Sequence, residues 1–126
     1  MQLFFAAATG GALGAGTRFL VNVGFAQLFG ASFPWATLTV NVVGSFLMGV
    51  LVVVVQPLLG GSAVWRTFLA TGVLGGFTTF SAFSLDAVEL VERRQPMLAA
   101  VYVAASVGLS IVALMAGLAT AKATLR

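Results

Sequence analysis

Between residues 75 and 84 the chain reads Gly75-Gly76-Phe77-Thr78-Thr79-Phe80-Ser81-Ala82-Phe83-Ser84, so two adjacent glycines precede four hydroxyls. Adjacent glycines are poor helix formers and a threonine hydroxyl can cap a helix that restarts, so the spacing predicts a helix broken near 75–79. Freed carbonyls at membrane depth suit a hard cation such as sodium. A kink packed silently against a neighbour is the bland alternative. Phe80 and Phe83 are three apart on one helical face, with Ser81 beside them. Such a pair is ordinarily core or lipid-facing. Next to hydroxyl donors, however, the positive edges of two phenyl rings can support a small, strongly hydrated anion.

Two other segments carry polar groups at helical spacing. Asn41 and Ser45 are one turn apart, and Tyr102, Ser106 and Ser110 recur at i, i+4 and i+8 in a stretch otherwise built of Ala, Val, Leu and Met. A lone serine on a membrane helix usually bonds its own backbone. Three aligned hydroxyls instead predict a polar track. The only acids are Asp86, Glu89 and Glu92. Glu89 and Arg93 have the i, i+4 spacing of an interfacial ion pair, whereas Asp86 lies deeper, where a carboxylate either serves function or caps polar groups.

The elements that position these residues follow from composition. Of 126 residues, 60% are hydrophobic and 7% charged, and the mean hydropathy is +1.11. A soluble domain of this size has too little interior to hide that much apolar surface, so the chain belongs in lipid. Cysteine and histidine are both absent, which removes disulfides, thiolate metal sites and the usual general bases, and the chain is read as not an enzyme. Six dispersed cations form no basic stripe for nucleic acid.

Pro34, Pro57 and Pro96 fall between apolar stretches and divide the chain into four spans, at about 3–25, 35–55, 63–90 and 97–121. Each has the roughly 20 residues needed to cross about 30 Å of hydrocarbon. The reading is an all-α integral membrane protein forming one membrane domain over residues 1–126. The first segment lacks a positive n-region and is expected to stay in the mature protein.

Threading the spans alternately puts Arg66, Lys122 and Arg126 on one side and Arg93 and Arg94 on the other, with Arg18 joining the latter if it snorkels. So little bias permits insertion both ways round. Glycines inside the spans, as at Gly10 and Gly14, let helices approach closely. Four short helices have little room for both a packed core and a polar path, so a homo-oligomer is expected, and balanced charge permits an antiparallel pair.

Three blocks, 10–19 (GGALGAGTRF), 37–46 (TLTVNVVGSF) and 75–84 (GGFTTFSAFS), resemble the Fluc (CrcB) family of fluoride channels in order and spacing across essentially the whole chain. The resemblance implies a dual-topology, antiparallel homodimer in the bacterial inner membrane. It also implies passive fluoride export conferring fluoride resistance, and a structural sodium ion held by backbone carbonyls of Gly75 and Thr78. Phe80 and Phe83 match the family's pore phenylalanines and Asn41 its pore asparagine. Tyr102, Ser106 and Ser110 match its polar track, and Ser81 falls beside them on the anion's route. Two departures stand out: Ala82 where members often have Thr, and Asp86 where they often have Glu.

Composition alone also fits a small multidrug-resistance exporter, which couples protons to cationic drugs through a carboxylate buried in its first helix. The first span here carries Arg18 and no acid. The other alternative is a non-transporting membrane scaffold packed by its glycines.

Overall fold

The computed structural model describes residues 1–126. Four helices are long and apolar enough to cross a membrane: α1 (Gln2–Phe29), α2 (Trp35–Leu59), α3 (Ala63–Glu92) and α4 (Pro96–Thr124). At about 1.5 Å per residue each exceeds the hydrocarbon thickness.

Helix ends follow local chemistry. Pro96 starts α4, where its missing N–H is no loss. Pro57, expected between spans, lies inside the last turns of α2, which runs on to Leu59 and stops at Gly60 in the left-handed conformation (φ 61°). A proline that near a helix end gives up only one backbone bond, and glycine is the residue that takes the left-handed cap cheaply. Ser62 caps the start of α3 by accepting from the Trp65 N–H at 3.4 Å.

Connections alternate between two ends. Met1, Gln2 and Phe5 share a cavity with Val64 and Trp65, so the start of α1 and the start of α3 lie at one end. At the opposite end, the Arg93 guanidinium donates to the Ala31 carbonyl at 3.1 Å, joining the α1–α2 and α3–α4 connections. Arg66, Lys122 and Arg126 thus lie at the first end and Arg93 and Arg94 at the second. Arg18 sits near the middle of α1, half-buried.

Packing divides the bundle into two parallel pairs. A Cβ added at Gly10 or Gly14 of α1 would strike backbone of α3 at Phe68, Gly72 or Val73, and one added at Gly76 of α3 would strike the Gly11 carbonyl of α1. Gly49 of α2 meets the backbone of Leu114, and Gly117 of α4 that of Phe46. Small residues are what allow such approach where lipid offers no hydrophobic drive. Residues 67–74 of α3, pressed against α1, carry the wide i→i+5 hydrogen bonding of a π-helix. Only 19 of 126 residues are buried, which leaves most apolar side chains facing outward, as lipid or a second chain requires.

Candidate functional site

In α3 the sequence expectation and the structure differ on which residues leave the helix. Gly75 is helical (φ −64°, ψ −37°) and the helical segment Gly75–Phe77 contains both glycines. The extended residues are Thr78 (φ −79°, ψ 157°) and Thr79 (φ −152°, ψ 121°), and helix resumes at Phe80. Gly76 serves packing instead, with α1 backbone where a side chain would go, whereas Gly75 has no neighbouring helix that close. Glycine's cost in a helix is offset when the missing side chain admits a neighbouring helix.

What fixes the extended pair is Asn41. Its Oδ1 accepts from the Thr79 N–H at 2.7 Å and its Nδ2 donates to the Thr79 carbonyl at 2.9 Å. A carboxamide pairing with one residue's donor and acceptor satisfies backbone that would otherwise be orphaned at membrane depth. Gly44, one turn further along α2, makes the approach possible, because a Cβ there would collide with the Thr78 methyl. Thr79 also caps the second half of α3, its hydroxyl accepting from the Ala82 N–H at 3.2 Å. The Thr78 hydroxyl donates to the Leu74 carbonyl at 2.9 Å.

These bonds redistribute carbonyls. The Thr79 N–H would normally return to the Gly75 carbonyl but is held by Asn41, and the Thr78 carbonyl accepts no backbone N–H. Nowhere do three or more of the chain's acids gather as metal ligands.

Beside the extended pair lies a groove of about 360 Å³ between α2, α3 and α4. Asn41 and Ser45 line it from α2, Thr78, Thr79, Phe80 and Phe83 from α3, and Ser106 and Ser110 from α4. Asn41 brings one unused Nδ2 hydrogen, since only one is spent on Thr79. The Ser106 hydroxyl is buried beside the Tyr102 hydroxyl and makes no close hydrogen bond of its own.

The two phenylalanines, equivalent by spacing, differ in place. Their rings lie 5.4 Å apart between centroids, tilted by 56°. Phe83 is 9% exposed and packs on Tyr102 at 5.4 Å, whereas Phe80 is 77% exposed. Ser81 is exposed and off the groove, its hydroxyl 3.3 Å from that of Thr79.

Tyr102 is fully buried and turns from the groove towards α3, donating to Asp86 Oδ2 at 3.0 Å. Asp86 in turn lines a second cavity of about 230 Å³ at the end of the bundle, shared with Asn22, Thr37, Glu89 and Arg93. The Glu89–Arg93 ion pair is present at 3.7 Å, half-exposed. The pair Tyr102–Asp86 thus stands between an open mouth and the groove. Sequence reasoning singled out neither Gly44, Thr37 nor Phe33 for this region; the TLTVNVVGS segment held two of them, but their partners lie on other helices.

A small four-span membrane protein with a laterally open groove, lined by polar side chains together with Met48, Val107, Ile111 and Leu114 and built around an extended pair in its third helix, is the class that this geometry defines. A sequence profile described as "CrcB-like protein, Camphor Resistance (CrcB)" matches residues 5–118, and the chain belongs to that family. It is similar to the fluoride-specific ion channel FluC of Cereibacter sphaeroides, 63% identical over 115 residues covering 91% of this chain and 90% of that one. The proteins of the same name from Agrobacterium fabrum and Rhizobium meliloti are 58% and 54% identical, over 89% and 90% of this chain and 90% and 91% of theirs.

Proposed function

We propose that the chain forms a fluoride-selective channel that lets cytoplasmic fluoride leave passively and so confers fluoride resistance. The observation that carries this reading is the groove itself, where Asn41, the buried Ser106 hydroxyl, Ser110 and the rings of Phe80 and Phe83 converge. Fluoride is small and tightly hydrated, so it needs many weak donors in sequence. Amide, hydroxyl and ring edge supply them without a fixed positive charge that would trap the ion. The relatives named as fluoride channels support the same ion. Hydrogen fluoride crosses lipid neutral, ionises in a less acidic cytoplasm and is trapped as the anion, because charge crosses hydrocarbon poorly. A passive pore is enough to release it.

The conducting unit in this reading is an antiparallel, dual-topology homodimer in the bacterial inner membrane. Phe80, open on one chain, is then covered by the second, which closes the groove laterally. A structural sodium ion fits the freed carbonyls of Gly75 and Thr78, since unwound backbone in membrane helices offers oxygen ligands of that kind. Bound there, it would tie the third helices of two chains together as a fixed charge and would not itself be transported. Ser81 and Tyr102 belong to the anion's route in this reading, Ser81 through its hydroxyl beside that of Thr79 and Tyr102 through the Asp86 carboxylate it binds.

Liposomes loaded with fluoride or with chloride and reconstituted with the protein test this. Fluoride efflux far above chloride efflux is expected, and it should depend on sodium during assembly. Equal rates for the two anions, or no fluoride flux with or without sodium, would sink the reading and favour a scaffold.

A further inference from the structure

We propose that Phe33, in the short connection between α1 and α2, is a positioning residue that holds Tyr102 on Asp86, and that Arg93 holds Phe33's segment in place. The functional half of this rests on the reading of Tyr102 as part of the anion route. The positioning half does not.

The ring of Phe33 meets Tyr102 edge-on, at 5.5 Å between centroids and 89° between planes. Trp35 backs Phe33 at 4.6 Å. Phe83 lies against Tyr102 at 5.4 Å. The Tyr102 ring is therefore confined between Phe33 and Phe83, and its hydroxyl reaches one carboxylate oxygen, at 3.0 Å.

Phe33 also lines the mouth cavity of about 230 Å³, so removing its ring would open space into which the tyrosine could swing. A ring with a vacancy beside it has rotamers to choose from, even where its hydroxyl lies near Thr37 and Ser106 as well as Asp86. With Phe33 in place it does not. The segment bearing Phe33 is fastened in turn, because Arg93 donates to the Ala31 carbonyl at 3.1 Å while facing Glu89 at 3.7 Å. The contacts run from Glu89 through Arg93, Ala31, Phe33 and Tyr102 to Asp86. They form a ring that begins and ends on α3.

The chain contains a single tyrosine, so ring-labelled tyrosine gives an NMR signal that reports Tyr102 alone. Phe33→Leu should shift and broaden that signal in the reconstituted protein, Phe33→Trp, which keeps an aromatic ring and adds no tyrosine, should largely preserve it, and Phe29→Leu on α1 should leave it unchanged. Arg93→Gln, a milder lesion, should move it in the same direction by less. Fluoride efflux should fall about fivefold in Phe33→Leu, the order expected from one edge-to-face contact, and less than about twofold when the same change is made on Tyr102→Phe. An unmoved tyrosine signal in both Phe33→Leu and Arg93→Gln overturns the proposal. So does an equal loss of efflux in both backgrounds. A shifted signal with undiminished efflux in Phe33→Leu and Tyr102→Phe upholds the positioning and removes Tyr102 from the anion's route.

Discussion

Asn41 holds both polar groups of Thr79's backbone. Asn41→Ala should therefore lower stability by about 1–3 kcal/mol, the cost of leaving buried backbone groups unmet, and should lower fluoride efflux with it. Thermal unfolding in detergent and liposome efflux measure the two. Lost efflux at unchanged stability would mean that Asn41 serves the ion alone and not the backbone. Gly44→Ala attacks the same joint from the steric side, driving a methyl into the Thr78 methyl with the Phe77 ring beside it. The same loss of efflux is expected with Asn41 intact. A Gly44→Ala protein of parental activity would show that Thr78 can retreat without disturbing the groove.

At the scale of elements, the two parallel pairs depend on glycines that a side chain cannot replace. Gly10→Leu should separate α1 from residues 67–77 of α3, and Gly49→Leu should separate α2 from α4. Either should abolish the monodisperse peak in size-exclusion chromatography, whereas Gly16→Leu, which faces open space, should not. Four spans were legible because lipid enforces length and apolarity so strictly, and Pro34 and Pro96 mark real helix starts. The extended pair was legible only to within a few residues. Gly75-Gly76 read as the weak point because glycine propensity is a local quantity, while the bond that decides the matter comes from Asn41, 38 positions away. The polar stripe on α4 was found from its period, yet period places residues on a face and does not say what faces them. Ser106 and Ser110 look into the groove and Tyr102 looks at Asp86. For the same reason spacing could not tell a buried Phe83 from an open Phe80.

For the whole molecule, charge and assembly are joined. One end carries Arg66, Lys122 and Arg126, and the other carries Arg93 and Arg94 together with all three acids. With so small a difference, two added lysines in the 30–34 connection should bias insertion to one orientation, read by labelling of single cysteines from either side of the membrane. An antiparallel dimer then requires that activity fall; full efflux from a protein shown to insert one way only would refute dual topology. The parallel pairing also bears on how the protein comes into being. Neighbouring spans in the chain are not the ones that grip each other: α1 waits for α3, and α2 waits for α4. During synthesis the membrane therefore receives two helices that have little to hold, one of them carrying Asn41 with nothing yet to bind. A chain halted after Gln95 would strand α2 without its mate, and pulse-chase labelling should find it cleared by proteases while the complete chain persists. Interleaving of this kind makes the last helix to emerge the one that commits the whole bundle.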